Sequence, residues 1–200
     1  RFGGAALFTD PNVSTKATHD YISVPTAGMT AAAGTVALWV NPIGDVDSSY
    51  FFGHSSNPTN ATNRLQIKTS LATAGANPLN IGMGGSGNMI SGLPLMTPGQ
   101  WAHIALTWQG SSGAGTAIVY VNGTQKGSGS YSSFSTLGTN AHIGNNGLTD
   151  TKNGARAYID EVAVWSVALS ASEVLDVYTN GLGPGKAANP NPAGGASNVA

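Results

Sequence analysis

Acid–base or metal chemistry in this 200-residue chain would have to come from nine carboxylates and four histidines. Cleavage of a glycosidic bond requires two carboxyl groups facing one another across it, one to protonate the leaving oxygen and one to attack or to activate water. Only two glutamates are present, Glu161 and Glu173. Asp160 and Glu161 are adjacent, so on a strand they point to opposite faces and cannot form that pair. Glu173 closes the box Ser170-Ala171-Ser172-Glu173, in which hydroxyl and carboxylate each satisfy an orphan backbone donor at a helix start. His19, His54, His103 and His142 show no metal-ligand spacing, and His103 on a strand face reads as structural. Asp45, Asp47 and Asp150 lie in loops and read as solvated charges. No catalytic set emerges.

Asp160 stands apart from these. It opens a strand in the Ile159-Asp160-Glu161 run, and alternation puts it on the face of Val162 and Val164, toward the interior or the sheet rim. A carboxylate there needs a partner, and backbone amides are one candidate. For sugar binding, exposed aromatics or Asn/Gly-rich rim loops would serve, and the loops at 57–63, 84–88 and 145–149 have that composition. The four tryptophans, Trp39, Trp101, Trp108 and Trp165, fall at strand positions and read as core. Tyr131 and Phe134 read as loop anchors. Three N-x-S/T sequons begin at Asn12, Asn60 and Asn122, of which Asn122 is held in a tight turn.

The elements that must position these residues centre on residues 100–123. Ala102, Ile104, Leu106 and Trp108 alternate against Trp101, His103, Ala105 and Thr107, the period of a strand with one apolar face. A β-branched run at 116–121 follows, and Asn122-Gly123 supplies the two positive-φ positions of a type I′ hairpin, so a short strand should follow at 124–126. Further strands are expected at 5–8, 21–24, 35–40, 50–53, 64–69, 79–83, 141–144 and 158–165. In 64–69, Leu65 and Ile67 face in while Arg64, Gln66 and Lys68 face out. A helix is expected at 171–180, with Gly181 as its C-cap.

The V-Y-V-N-G run ending at Gly123, the I-G-N-N run at 143–146, and the ending Y-I-D-E-V-A-V-W-S-V-A-L-S-A-S-E-V at 158–174 resemble the laminin-G-like branch of the concanavalin A-like jelly rolls, over residues 6–181. The resemblance implies an all-β fold: a two-sheet antiparallel β-sandwich jelly roll with one short C-terminal helix. It also implies a calcium ion held by the acid matching Asp160 with an acid near the first strand, here Asp10 or Asp20, and backbone carbonyls, an oxygen-rich set of the kind Ca²⁺ favours. Glycosidases of the laminarinase type on this fold carry E-x-D-x-x-E on one strand, and that pattern is absent.

Residues 1–181 therefore read as one domain and 182–200 as a Pro/Gly/Ala-rich extended tail or linker. Such a segment can add to the sheet edge of a neighbouring copy by main-chain hydrogen bonds, with Leu182, Pro184, Pro190, Pro192 and Val199 on that contact. Charged residues make up only 8% of the chain, against a typical quarter, and the net charge is -1. Nucleic-acid binding is disfavoured for that reason, and no apolar run is long enough for a membrane helix. A chain starting at Arg1 is expected to be a processed, secreted protein. These features lead to the expectation of a non-enzymatic structural or adhesive subunit that self-associates into an extracellular filament or surface assembly through its tail. The alternative is a calcium-dependent carbohydrate-binding adhesion module of a larger protein.

Overall fold

The computed structural model describes residues 4–9, 20–44, 49–56, 63–70, 78–147 and 154–181, and the backbone of 196–198. In chain order the strands are β1 (Ala6–Thr9), β2 (Ile22–Pro25), β3 (Ala33–Pro42), β4 (Tyr50–His54), β5 (Arg64–Thr69), β6 (Leu79–Gly84) and β7 (Ser86–Ile90). They continue with β8 (Ala102–Ser111), β9 (Ala114–Val121), β10 (Thr124–Tyr131), β11 (Asn140–Ile143) and β12 (Arg156–Trp165). Helix α1 (Ala171–Asn180) and a last strand, β13 (Ala196–Asn198), complete the order. One sheet runs β1-β12-β3-β8-β9-β10 with β13 added on β12, and the other runs β2-β11-β4-β5-β6-β7. The expected all-β sandwich with one C-terminal helix is what the chain forms.

The alternating strands supply the core. Val36, Leu38 and Val40 of β3 and Ile104, Leu106 and Trp108 of β8 meet Phe52, Leu65, Ile67 and Ile81 of the facing sheet, all buried. Each such side chain contributes roughly 1.5–3 kcal/mol by leaving water. Tyr131 and Phe134 are anchors of this core: the Phe134 ring meets Trp108, Tyr131 and His54 edge to face.

On its outer side the seven-stranded sheet presents small residues, Ala37, Ala105 and Ala163, and α1 packs over them through Val174, with Trp165 and Leu169. Thr35 fastens the segment leading into α1, its hydroxyl donating to the Val167 carbonyl at 2.9 Å and accepting from the Leu169 amide at 2.9 Å. The capping box forms as read: the Ser170 side chain accepts from the Glu173 amide and the Ser170 amide donates to Glu173 Oε2 at 2.7 Å. Gly181 closes the helix at φ 67°.

Two elements depart from expectation. The strand after Asn122-Gly123 runs eight residues, through a Ser/Gly-rich stretch that reads as loop. Gly127 admits the core there, since a Cβ would lie 2.9 Å from Ile90 and 3.0 Å from Leu93. Within the loop read at 84–88, Ser86 to Asn88 instead begin β7, which forms a tight hairpin with β6, closed by Gly84 at φ 61°.

Candidate functional site

The outer face of the six-stranded sheet carries an unusual polar layer. Pairing puts His142, Gly53, Gln66 and Gly82 in one cross-strand row, and Tyr50, Lys68 and Asn80 in the next. These side chains point away from the hydrophobic core, as read for Gln66 and Lys68, yet they are shielded from water: Gln66 is 1% exposed, Asn80 2% and Lys68 8%.

The glycines explain part of that shielding. A Cβ on Gly53 would lie 2.3 Å from the Asn145 carbonyl, so only glycine lets the backbone of Asn145 and Asn146 lie flat on the sheet. Gln66 Nε2 donates to the Asn146 carbonyl at 3.3 Å. Its Oε1 has no hydrogen-bond partner among the described residues, and neither has Oδ1 of Asn80. Leaving a buried acceptor unmet costs about 1–3 kcal/mol.

Next to these acceptors, Lys68 Nζ donates to the Tyr50 hydroxyl at 3.3 Å and lies 5.1 Å from the centre of that ring. Burial pushes the Lys68 amine below its usual range, and the charge of Arg64 adds to the effect. Burial raises the Tyr50 phenol, with Arg64 opposing. Arg64 itself is half-buried, its guanidinium reaching over Gly87 in the β6–β7 hairpin. At the far edge of the same sheet, Tyr21 stacks on His142 with ring centres 4.5 Å apart and planes at 24°. Acceptors, an ammonium, a guanidinium and an edge aromatic thus share one side of the sheet. That combination is suited to a polyhydroxylated ligand, whose hydroxyls donate to the amide oxygens and accept from the cations.

The acids fall elsewhere. Asp160 lies opposite Trp39, and a bulge between Asp160 and Ala163 adds one residue to β12, with Glu161 at φ 48°. The bulge breaks the alternation, so Asp160 is not on the face of Val162 and Val164: those two pack on the sandwich core, whereas Ala163 and Trp165 face α1. Asp160 Oδ1 accepts from the Glu161 amide at 2.8 Å, a partner supplied by its own bulge. Asp20 is exposed just before β2, in the other sheet. Asp10 lies outside the described residues. Among the described residues no three acids or histidines gather as a metal would require.

Glu173 is occupied by the helix cap, where the Ser170 hydrogen bonds hold its carboxyl below the usual range. Asn122 accepts the His103 amide on its Oδ1 at 2.8 Å, which fixes the hairpin turn. Asn12, Asn60, Leu182, Pro184, Pro190, Pro192 and Val199 lie outside the described residues. The tail nevertheless returns to the sheet: β13 pairs antiparallel with Ala163, Val164 and Trp165 of β12. Of the proposed rim loops, 84–88 is a hairpin and Asn145 and Asn146 are buried on the sheet. The polar layer itself escapes sequence reading, because Gly53, Gln66 and Gly82 are brought together only by the register.

A family model described as the concanavalin A-like lectin/glucanases superfamily matches residues 16–175. Domain 4 of an extracellular arabinanase from Geobacillus stearothermophilus, solved with arabinotriose, is similar in fold at TM-score 0.59 and 23% identity, over 88% of this chain and 82% of that one. A heptameric SAP-like pentraxin from Limulus polyphemus gives 0.58 and 20%, over 78% and 72%. The CBM40 of a Ruminococcus gnavus sialidase, solved with α2,3-sialyllactose, gives 0.57 and 12%, over 76% and 85%. Among curated protein sequences none matches. With the family model spanning most of its length and the sandwich formed as that family requires, the chain belongs to the concanavalin A-like lectin/glucanase superfamily.

Proposed function

We propose that this chain is a non-catalytic, extracellular glycan-binding module that takes its ligand on the outer face of the six-stranded sheet. One observation carries this reading: Gln66 and Asn80 hold buried carbonyl oxygens that find no donor among the described residues, next to Lys68 and Tyr50. Sugar hydroxyls are the donors such a face lacks. That two solved relatives of the same fold hold arabinotriose and α2,3-sialyllactose supports the choice of ligand class. Calcium has no part in this reading, which distinguishes it from a calcium-dependent lectin.

Isothermal titration with arabinotriose and with α2,3-sialyllactose, before and after chelation, is the test. Binding of one of them should survive chelation and fall at least tenfold in Gln66→Ala. Binding abolished by chelation would instead favour a calcium site at Asp160 with Asp10 or Asp20.

A second reading, a structural subunit that self-associates through its tail, has its own support in the pairing of β13 with β12. The same main-chain hydrogen bonds are available to the tail of a neighbouring copy, and exchange of identical elements is an inexpensive route to assembly. A surface with few charges also limits repulsion between copies.

A further inference from the structure

We propose that the polar face of the six-stranded sheet selects acidic glycans: granted that this face is the glycan site, Lys68 receives the carboxylate of a hexuronate residue while Gln66 and Asn80 accept from its ring hydroxyls.

Lys68 is buried, and among the described residues its ammonium meets only the hydroxyl and the ring of Tyr50. Neither offers a counter-charge. Burial and the nearby charge of Arg64, a second cation, both press the amine toward its neutral form. Buried charges are ordinarily paired with an opposite charge. The sheet itself supplies none: β2, β4, β5, β6, β7 and β11 contain Arg64 and Lys68 but no aspartate or glutamate. Asp160, Glu161, Glu173 and Asp176 lie instead on β12 and α1, on the other sheet's side. Asp20 is exposed beside the edge strand β2. In a chain with only 8% charged residues, this separation gives one face of the sandwich a cationic character.

Register brings the ammonium and the unmet acceptors within the span of one sugar ring. Lys68 pairs with Asn80 across β5 and β6, and Gln66 shares their face two residues back along β5, about 7 Å away. Gln66 Oε1 and Asn80 Oδ1 find no donor among the described residues. A neutral sugar would supply donors to both oxygens and leave the ammonium without a counter-charge. An inorganic anion such as sulfate would do the reverse, since it carries no proton to give an amide oxygen. A hexuronate meets both needs: its hydroxyls donate to the amide oxygens, and its carboxylate accepts from Lys68 Nζ in a charge-assisted hydrogen bond. The carboxylate also opposes the two influences that depress the amine.

The test uses the full chain, titrated calorimetrically and by ¹H–¹⁵N spectra. The probes are trigalacturonate, trimannuronate and a hyaluronan hexasaccharide, the methyl ester of each as its neutral match, and arabinotriose. At least one acid should shift the amides of 64–69 and 79–84, and its ester, which keeps every ring hydroxyl, should bind roughly tenfold more weakly or worse. Lys68→Met should abolish that preference, Lys68→Arg should retain it, and Lys126→Met, on β10 of the other sheet, should leave it unchanged. Should Lys68→Met fail to fold, the acid-to-ester ratio of the unsubstituted chain decides. Acid and ester bound alike, an acid preference that persists in folded Lys68→Met, or arabinotriose shifting these strands where no acid does, would overturn the inference and leave the glycan-binding reading standing. No shift on this face with any acid, ester or arabinotriose would overturn both.

Discussion

His54 and His103 show at the scale of single residues how position decides chemistry. His54 points into the core, its Nε2 accepting from the Gly138 amide at 2.9 Å. His103 lies against Trp39 and Tyr178 on the helix side, with ring centres 5.4 and 5.8 Å away. Burial lowers both imidazoles to about 4. The sign of their effect on stability follows: below pH 6.5 the unfolded chain gains protons that the folded chain refuses until about pH 4, so acid favours unfolding. Each histidine should cost about 3 kcal/mol by pH 4, because a proton bound only by the unfolded chain costs about 1.4 kcal/mol for every pH unit crossed. Urea denaturation between pH 7 and pH 4 should show that decline, and His103→Gln should remove part of it. A stability independent of pH across that window would contradict the neutral assignment.

At the scale of elements, α1 rests on one cap and one apolar contact strip. Ser170→Ala removes the acceptor for the Glu173 amide and should cost about 1 kcal/mol, measurable by chemical denaturation without change of fold. The box is legible in the sequence because its four residues are contiguous, as is the Asn122-Gly123 turn. Wherever structure depends on local spacing, sequence reading holds: the phases of β3 and β8 are as their alternation requires. It fails where one extra residue changes a phase, as at Glu161, which moves Asp160 to the opposite face from the one alternation assigns. It fails again where neighbours come from distant strands. Gln66 reads as an outward-facing residue, and only pairing with Gly53 and Gly82 makes it a buried member of a polar layer. Trp101 reads as core because a tryptophan on a strand face usually is, yet it is only partly buried, just before β8.

At the scale of the whole molecule, the sandwich separates its tasks. The interior between the sheets gives stability, the seven-stranded sheet carries α1 and the returning tail strand, and the opposite outer face holds the polar layer. Deleting residues 182–200 should leave the thermal midpoint nearly unchanged, since β13 adds three paired residues to a sheet that is complete without it. If copies exchange tails, light scattering should show assembly in the full chain and its loss on deletion; assembly that survives deletion would remove the tail from the contact. If the polar face is maintained for a ligand at the expense of stability, glycan binding and unfolding free energy should move in opposite directions in Asn80→Val, and both are to be measured on that variant. Removing an unmet buried acceptor from a strand should raise stability by about 1 kcal/mol while binding of the glycan bound by the unsubstituted protein falls at least tenfold. A variant that loses stability, or that binds as the unsubstituted protein does, would contradict the account.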